Sequence, residues 1–485
     1  MKRPSNLRPF PRWAATSIVL TLLVVLTGAI TLAGHTQTTD PLHQVKKICV
    51  DTIKGKSDAT AERKSIIDNL QKDHSIQIVD DPAQADAILQ VRMETWVRGY
   101  VSVNPRSATG YPDYGGFLSA QLLGKGGDLL WSYIVTPSRY ASSGIRHDLA
   151  DQITRKLLVA LTSPPPQGHV RILKAAGATF PAPLYQAWIE SFRQHHPDIQ
   201  ITYNSIDSEA GLEQLHDNKI TFAASDVALS DAYMSQMPVK LLQFATALGA
   251  IVPIYNLPHI GNNLRFTPEI LANVYLGKIR TWDDPAIRAV NHGVPLPSAP
   301  IVVIHRNDGS GTTFAWTDFL SKTNPDWKAT VGSGTTVHWP LGNGVQGNDG
   351  VASAVAQTPN SIGYTELTYA IQRQLSYGIV RNAAGNFMQA NMATLAAAAI
   401  APHGTSAIAS SLTNAPGKYA YPITTFTWLL VPESIPDPAT KSAVVEFLEW
   451  ILTTGQKESS ALAYHPLPKE TVTRELQMLA AFKAK

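Results

Sequence analysis

The sequence is poor in cysteine, in net charge and in metal-binding patterns. Cys49 is the only cysteine among 485 residues, so no disulfide can form within the chain and the core must stabilise the fold. Residues 1–34 contain four of the forty basic residues and no acid, which leaves 36 basic against 37 acidic residues. Such a near-neutral body gives no electrostatic basis for binding nucleic acid. The fourteen histidines show no H-E-x-x-H or Cys/His spacing, so we predict no metal site and no cofactor.

An apolar stretch at residues 14–34 follows four basic residues at the start of the chain. This order is typical of an export signal, and the stretch is also about long enough to span a bilayer as a helix. Residues 1–36 are therefore interpreted as a cleaved signal peptide or a retained membrane anchor, and both interpretations export the rest of the chain. A lipoprotein box would need a cysteine where the chain has His35.

Residues 43–163 have the pattern of a small α/β domain, and their residues indicate no role for it. Its main predicted elements are a helix at 59–70, β patterns at 87–103 and 117–135, and a Gly/Pro/Tyr-rich loop at 105–116. Cys49 lies in an apolar, strand-like run that favours a buried thiol. Consecutive prolines at 164–169 predict a semi-rigid linker.

Residues 170–485 alternate strand and helix patterns, which predicts an α/β fold with a mostly parallel sheet. Two longer β patterns, at 244–255 and 419–431, each predict a strand that is long enough to pass from one lobe into another. Two lobes joined by two such strands form a hinged clamshell. The predicted boundaries are about 170–248 and 425–485 for lobe I, and about 249–424 for lobe II.

The loop of residues 306–314 is the most informative stretch of the chain. It follows a predicted strand at 301–304 and opens a helix, whose first N–H groups have no internal partner and favour an anion. Ser310 and Thr312 add hydroxyl donors, and Arg306 adds a planar fork suited to an oxyanion. An ordinary β-to-α turn with an N-cap uses the same residue types, and that alternative stays open.

Three further strand ends carry small or hydroxyl residues, at 177–180, 206–208 and 224–226. Ligands in such sheets bind at the carboxyl ends of strands, so four turns of this kind predict one convergent site. The helix after the second turn is predicted to begin at Leu212. Asp226 would repel a fully ionised anion, but it can accept a hydrogen bond from monohydrogen phosphate, whereas sulfate has no proton to donate. The alternative role for Asp226 is a helix cap.

Six motifs follow one another through the second part of the chain. They are A-G-A-T-F-P-A-P-L-Y at 176–185, A-S-D at 224–226, Y-L-G-K-I at 275–279, W-D-D-P-A-I at 282–287, the 305–314 loop, and S-I-G-Y at 361–364. In this order they resemble the PstS family, the periplasmic phosphate-binding proteins of ABC-type phosphate transporters, over residues 174–479. The resemblance implies a type II periplasmic-binding-protein clamshell, inorganic phosphate as ligand, an ABC permease as partner, a monomer and no enzymatic activity.

Carried over position by position, the resemblance also implies a phosphate site built from hydrogen bonds alone. Its ligands would be Thr179, the Phe180 N–H, Ser208, Asp226, Arg306, Ser310, the Gly311 N–H and Thr312. Asp308 matches the family residue that orients the arginine. Where the family usually reads Gly-Ser-Gly-Gly-Gly, this chain adds two acids, Asp207 and Glu209, around Ser208. They weaken the binding of a dianion strongly if they face the cleft, and little if they face solvent.

Three other functions compete with phosphate delivery. A phosphate sensor or an envelope assembly protein would use the same clamshell, with the first domain contacting a partner. A phosphohydrolase would need a nucleophile or a metal, and Ser310 near His305 lacks the G-x-S-x-G context of a nucleophile elbow. The G-x-G-x-x-G at 342–347 matches a dinucleotide motif, but Trp339-Pro340 interrupts the strand that this motif needs.

Overall fold

The computed structural model of the protein describes residues 41–53, 59–102, 110–126, 129–135, 144–162, 170–262, 264–400 and 411–485. The predicted signal or anchor segment, residues 1–36, lies outside the described residues, and so does the predicted linker at 164–169. Within these ranges, no helix is both long and apolar enough to cross a membrane.

Five strands and two α-helices form the first part of the described chain, called the small domain below. They are β1 (Lys47–Val50), α1 (Thr60–Leu70), β2 (Gln77–Ile78), β3 (Ala87–Ser102), β4 (Gly110–Gly124), β5 (Leu129–Val135) and α2 (Ile145–Thr162). The sheet order is β2-β1-β3-β4-β5. Leu89 and Leu118 on one sheet face share a buried core with Leu149 and Leu157 of α2, so apolar burial fixes the helical layer on that face. Cys49 is buried in β1, as the apolar run around it predicts.

The structure corrects the sequence prediction in the middle of the small domain. The β pattern at 117–135 is two antiparallel strands, with Leu118 opposite Val135. β4 begins at Gly110, inside the segment predicted to be a loop, and pairs there with Ser102 of β3. Among the described residues, β4 pairs with β5 only along 118–123, so Pro112 lies where β3 is the described neighbour of the strand, and a strand with one neighbour tolerates a missing N–H on its other side.

The larger part of the chain begins at residue 170. Its strands are β6 (Arg171–Gly177), β7 (Ile199–Ser205), β8 (Phe222–Ser225), β9 (Leu241–Asn256), β10 (Arg265–Phe266), β11 (Val302–Arg306), β12 (Asn343–Val345), β13 (Ser361–Glu366), β14 (Ser376–Tyr377), β15 (Ile379–Arg381), β16 (Phe387–Met388) and β17 (Thr424–Pro432). Its helices are α3 (Ala182–His195), α4 (Ser208–His216), α5 (Asp231–Met234), α6 (Pro268–Tyr275), α7 (Pro285–Val290), α8 (Gly311–Thr323), α9 (Pro325–Thr330), α10 (Gly347–Gln357), α11 (Leu367–Gln372), α12 (Met392–Ile400), α13 (Pro438–Thr453) and α14 (Lys469–Ala484).

One sheet runs through both lobes in the order β12-β11-β13-β9-β17-β8-β6-β7, with β14 also paired to β9. β9 pairs with β17 along residues 241–250 and with β13 along residues 251–256, so this strand passes from one lobe into the other. The chain returns beside it at Ile423, whose carbonyl accepts the Ile251 N–H at 2.9 Å. The two-lobed α/β fold is thus confirmed. Only the two wings of the sheet are parallel, because β9 and β17 run antiparallel to their neighbours.

The small domain packs against helix α3 of lobe I. Tyr133 of β5 is partly buried between the cores of the two parts. Lys156 of α2 lies over the Tyr133 ring at 5.0 Å from its centroid. Arg193 of α3 donates from Nη2 to the Ala160 carbonyl at 3.3 Å. These contacts attach the small domain to lobe I by packing as well as by chain connection.

Glu475 of α14 gives a stability prediction that is independent of any ligand. The residue is fully buried, and burial raises its pKa to about 7, above its usual value of 4.5. A carboxyl with a raised pKa in the folded state stabilises the fold most below pH 4.5 and loses that contribution as pH rises towards 7. Glu475→Gln, which stays neutral, should therefore raise the free energy of unfolding by about 1–3 kcal/mol at pH 8 and have little effect at pH 5. Urea unfolding at both pH values tests this, and an equal difference at both would contradict it.

Candidate anion-binding site

Each turn of the predicted site lies at the carboxyl end of a strand. Thr179 and Phe180 follow β6, Ser208 opens α4 after β7, Asp226 follows β8, and the 310–312 turn opens α8 after β11. Their polar side chains are buried, with exposed fractions of 7% for Thr179, 2% for Ser208, 3% for Asp226, 2% for Arg306, 1% for Ser310 and 1% for Thr312. Polar groups are costly to bury unless they are hydrogen-bonded, so their concentration at one point is unusual for a packed core.

Arg306 is held by Asp308 through two parallel hydrogen bonds. Its Nε donates to Oδ1 at 2.6 Å, and its Nη2 donates to Oδ2 at 2.5 Å. The Gly347 N–H donates to the same Oδ2 at 3.1 Å, which fixes the carboxylate in turn. Nη1 lies on the other side of the guanidinium, 3.4 Å from Thr179 Oγ1. This is the geometry that an orienting role for Asp308 requires, because it leaves part of the fork free to face an oxyanion.

Tyr364 supports the Arg306 loop from behind. Its hydroxyl shares a hydrogen bond with Thr313 Oγ1 at 2.7 Å and accepts the Arg306 N–H at 3.3 Å. Its ring stacks on Trp316 of α8 at a centroid distance of 4.9 Å. Burial raises the pKa of Tyr364, so the hydroxyl keeps its proton. The S-I-G-Y motif therefore contributes a support for the site, a role that its sequence alone does not indicate.

The two lobes touch each other at the site. Ser208 Oγ accepts the Gly311 N–H at 3.3 Å, and the Glu209 N–H donates to the Gly309 carbonyl at 3.1 Å. Gly311 packs so closely on Asp226 that a Cβ atom at residue 311 would lie 2.7 Å from the Asp226 Cβ. The cleft is therefore closed, and turns from both lobes meet at one point.

Helix α4 begins at Ser208, four residues before the predicted start at Leu212. Asp207 is its N-cap, and its Oδ1 accepts the Ala210 N–H at 2.8 Å. A capping carboxylate stabilises the first turn, and its negative charge interacts favourably with the positive end of the helix dipole. The earlier start matters because it places Ser208 in the first turn of a helix, where its position is fixed.

The two added acids have different surroundings. Glu209 is exposed, and its carboxylate accepts a hydrogen bond from Thr335 Oγ1. Asp207 is half-buried, and burial raises its pKa, with the nearby Asp308 adding to the rise. Both line a groove of about 1070 Å³ beside the site. Glu209 thus lies at the solvent-facing mouth, where its charge is screened, whereas Asp207 is occupied in capping α4.

Asp226 is the one carboxylate of the predicted ligand set. Its Oδ1 accepts a hydrogen bond from Thr427 Oγ1 at 2.9 Å. Burial raises its pKa from 3.8 to about 7, against the lowering effects of Thr427 and Arg306. A carboxyl with this pKa can accept a proton near neutral pH or accept a hydrogen bond above it.

Asn348 is a site residue that the sequence reasoning missed. Its side-chain amide donates to Thr179 Oγ1 at 2.9 Å and to Thr312 Oγ1 at 3.0 Å. Its Oδ1 accepts the Glu366 N–H at 3.1 Å, so the amide is fixed from both ends. Asn348 follows the G-x-G-x-x-G loop, whose middle residues form β12 beside β11. Asn348 therefore follows a fifth strand end, that of β12. The match of this loop to a dinucleotide motif does not indicate such a role.

The residues considered for a hydrolase are engaged in other contacts. Ser310 Oγ accepts the Thr313 N–H at 3.1 Å as the N-cap of α8. His305 is buried, its Nδ1 lies 2.9 Å from the Arg306 carbonyl, and its ring stacks on Trp339 at 4.7 Å. Burial lowers the pKa of His305. No group of three or more His, Cys, Asp or Glu is placed to hold a metal ion in the described part of the chain. The arrangement favours binding over nucleophilic attack.

Known proteins are similar in sequence to the larger part of this chain. Residues 160–454 match the model of the PBP superfamily domain. A protein of Pasteurella multocida named phosphate-binding protein PstS is 39% identical over 309 residues, which covers 63% of this chain and 89% of that protein. The protein of the same name from Xylella fastidiosa strain Temecula1 is 40% identical over 316 residues, which covers 64% of this chain and 86% of that protein.

The fold also occurs among solved structures. A high-affinity periplasmic phosphate-binding protein, PfluDING, solved at subatomic resolution with phosphate, superimposes with a TM-score of 0.51. Sequence identity is 22%, and the match covers 62% of this chain and 92% of that one, so it shows a shared fold. Because the family model covers more than half of the chain and the curated relatives are matched over most of their length, the chain belongs to the PBP superfamily and, within it, to the PstS family.

Proposed function

We propose that this protein binds inorganic phosphate in its closed cleft and delivers it to an ABC-type permease in the membrane. The observation that carries the proposal is that buried polar side chains from four strand ends, hydroxyls at three and the Asp226 carboxyl at the fourth, meet in the closed cleft beside the Arg306 guanidinium, which Asp308 fixes in orientation. Relatives of the same family are named phosphate-binding proteins, which supports this choice of ligand.

The chemistry of the site suits a protonated tetrahedral oxyanion. The proposed ligands are the side chains of Thr179, Ser208, Arg306, Ser310 and Thr312 and the N–H groups of Phe180 and Gly311 as donors, with Asp226 as acceptor. Water is excluded from this point, so each hydrogen bond to a charged ligand contributes more than it would at the surface. Asp226 accepts the one proton that monohydrogen phosphate can donate, and it opposes an anion that has none.

Isothermal titration with phosphate, arsenate and sulfate tests the proposal. We expect tight binding of phosphate and arsenate, which share shape and protonation, and much weaker binding of sulfate at pH 8. Equal affinity for sulfate and phosphate would contradict the proposed selectivity, and absence of phosphate binding would contradict the function. Steady release of phosphate from an added phosphate ester would favour the phosphohydrolase instead.

Asp226→Asn should admit sulfate. The asparagine keeps an oxygen for the Thr427 hydroxyl and replaces the repelling oxygen by an N–H donor. Removing an unsatisfied buried charge is worth about 1–3 kcal/mol, so we expect sulfate affinity at pH 8 to rise by roughly 10- to 100-fold. In the unchanged protein, exclusion of sulfate should weaken as pH falls below about 7, where Asp226 gains its proton. Unchanged sulfate affinity in the variant at pH 8 would argue against this role.

For the cellular setting, we propose export by the 1–36 segment, either as a cleaved signal or as a retained anchor in the inner membrane. The protein would act in the periplasm or cell envelope as a monomer, with the small domain contributing a role apart from the cleft. Fractionation of cells and the mass of the mature chain distinguish the two forms of export. Phosphate binding without stimulation of any permease would favour the sensor or assembly alternatives.

A further inference from the structure

A second buried carboxyl, Glu366, lies directly behind the anion-binding turn. It ends β13 in lobe II and is the N-cap of α11, and its exposed fraction is 0%. Its Oε2 lies 3.0 Å from the hydroxyl of Tyr464, a residue of the C-terminal segment that the sequence assigns to lobe I. The same hydroxyl lies 2.6 Å from the carbonyl oxygen of Phe180. Glu366 is therefore linked through one hydroxyl to the backbone of the Thr179–Phe180 turn.

The Tyr464 hydroxyl has one proton but lies between two oxygens. The Phe180 carbonyl can only accept a hydrogen bond, and its distance of 2.6 Å is the shorter of the two. The hydroxyl proton is therefore directed to Phe180, which leaves the lone pairs of the Tyr464 oxygen facing Glu366 Oε2 at 3.0 Å. Two acceptors at this distance repel each other unless Glu366 supplies a proton.

The other oxygen of Glu366 shows the same shortage of protons. Thr368 Oγ1 lies 2.6 Å from the Leu462 carbonyl and 3.2 Å from Glu366 Oε1. Its single proton is directed to the carbonyl, again because a carbonyl has none to give. The hydroxyls of Tyr464 and Thr368 thus both donate to backbone carbonyls, and both direct oxygen lone pairs towards Glu366. One proton on the carboxyl relieves one of these contacts, whereas an ionised carboxyl relieves neither.

We propose that Glu366 is a neutral carboxylic acid in the closed cleft and is a positioning residue for the Thr179–Phe180 turn. Its protonated side chain keeps the Tyr464 hydroxyl donating to Phe180, and its N–H donates to Asn348 Oδ1 at 3.1 Å. Asn348 in turn donates to Thr179 Oγ1. The role rests on the proposed phosphate site, because the turn that it positions supplies two of the proposed ligands.

The groups around Glu366 have opposing effects on its pKa. The Thr368 N–H donates to Oε2 at 2.8 Å and favours the ionised form, and so do the hydroxyls of Tyr464 and Thr368 to the extent that they turn towards the carboxyl. Burial favours the neutral form most strongly, and the charge of Asp226 adds to it, so the pKa of Glu366 is raised from 4.5 to about 8. Tyr369 also contacts the turn, because its hydroxyl donates to the Thr179 carbonyl at 2.6 Å. Burial raises the pKa of Tyr464 and of Tyr369, which therefore remain protonated.

Loss of the Glu366 proton should loosen the turn. Above about pH 8 the ionised carboxyl attracts the Tyr464 proton away from the Phe180 carbonyl. Because the neutral form is the one that positions the turn, this contribution to phosphate affinity is complete at pH 6 and declines as pH rises through 8. Gln at residue 366 cannot titrate, yet its amide still has both an N–H donor and an oxygen acceptor.

The test compares phosphate dissociation constants from pH 6 to 9.5 for the unchanged protein and Glu366→Gln. Taking their ratio removes the titration of phosphate, which is the same for both proteins, and leaves the effect of Glu366 together with its coupling to Asp226. We expect a ratio that is constant at pH 6–7 and moves by on the order of tenfold in favour of the variant by pH 9.5. A ratio that stays constant over the whole range overturns the proposal. Glu475→Gln, which removes a buried carboxyl outside the cleft, should retain the pH profile of the unchanged protein.

Two further measurements keep the inference separate from the proposed function. Infrared spectra at pH 7 should show a protonated carboxyl band that Glu366→Gln lacks, whether or not phosphate is present, and identical spectra in this region overturn the proposal. Tyr464→Phe should bind phosphate several-fold more weakly at pH 7, because the Phe180 carbonyl loses its partner. If no protein of the set binds phosphate while the infrared band is found, the proposed function fails and the neutral Glu366 stands.

Discussion

Replacing Arg306 by alanine is expected to weaken phosphate binding by at least about 100-fold. Truncating one partner of a buried, hydrogen-bonded charge pair costs roughly 2–5 kcal/mol or more, and tenfold in affinity corresponds to about 1.4 kcal/mol. The loss has two sources here. The ligand loses its cationic fork, and the Asp308 carboxylate loses both of its bonds to the guanidinium and adds an unpaired negative charge to the cleft.

Titration calorimetry of Arg306→Ala against the unchanged protein measures this effect. Arg381→Ala is a matched control, because it removes an arginine that pairs with Glu269 at 2.9 Å on the surface, with both side chains more than a third exposed. Exposed pairs of this kind contribute about 0–1 kcal/mol, and the control should bind phosphate normally. Arg306→Lys should lie between the two, since a lysine keeps the charge and loses the fork. Similar affinities for Arg306→Ala and the control would rule out the proposed role.

Gly311→Ala is expected to weaken phosphate binding by about 10- to 100-fold by obstructing closure. A Cβ atom at this position would lie 2.7 Å from the Asp226 Cβ and 3.0 Å from the Asp226 backbone nitrogen. The obstacle includes main chain, so no rotation of a side chain relieves it, and overpacking of this kind costs about 1–3 kcal/mol. Because the clash is between lobes, it acts on the closed form and leaves each lobe intact.

Thermal unfolding with and without phosphate distinguishes obstructed closure from misfolding. The variant should unfold near the temperature of the unchanged protein without phosphate, while the rise that phosphate produces should shrink. Gly261→Ala is the control, because a Cβ there meets no atom within 4 Å. A large drop in unfolding temperature without phosphate would show that Gly311 is needed for the fold of lobe II and not for closure.

The strand-end turns of the site could be predicted because each is a local pattern. A small or hydroxyl residue after an apolar strand predicts both the position of the side chain and its neighbours on the sheet edge. The pairing of Arg306 with Asp308 is equally local, since only Asn307 separates them, and the structure contains this pair. The predicted start of α4 is too late because the prediction treats Asp207 only as a charge, whereas its carboxylate also caps the helix.

The supports behind the turns could not be predicted because their contacts are distant in sequence. Tyr464 reaches Phe180 across 284 positions, and Asn348 reaches Thr179 across 169. Neither residue type is unusual where it stands, and nothing in the neighbouring sequence signals a buried partner. Glu366 is a further case, because a glutamate at the end of a strand is usually solvated and only the closed fold shows that it is buried.

The packing of the small domain on α3 has a mechanical consequence. Tyr133 and the bond from Arg193 to Ala160 attach that domain to the lobe that contains α3. If the N-terminal end is held in the membrane, lobe I is fixed with the small domain. Lobe II, which carries the Arg306 loop, then makes the whole opening movement. If the proposed ligand set is right, opening then withdraws Arg306 from the phosphate while Thr179 and Ser208 remain on the stationary lobe.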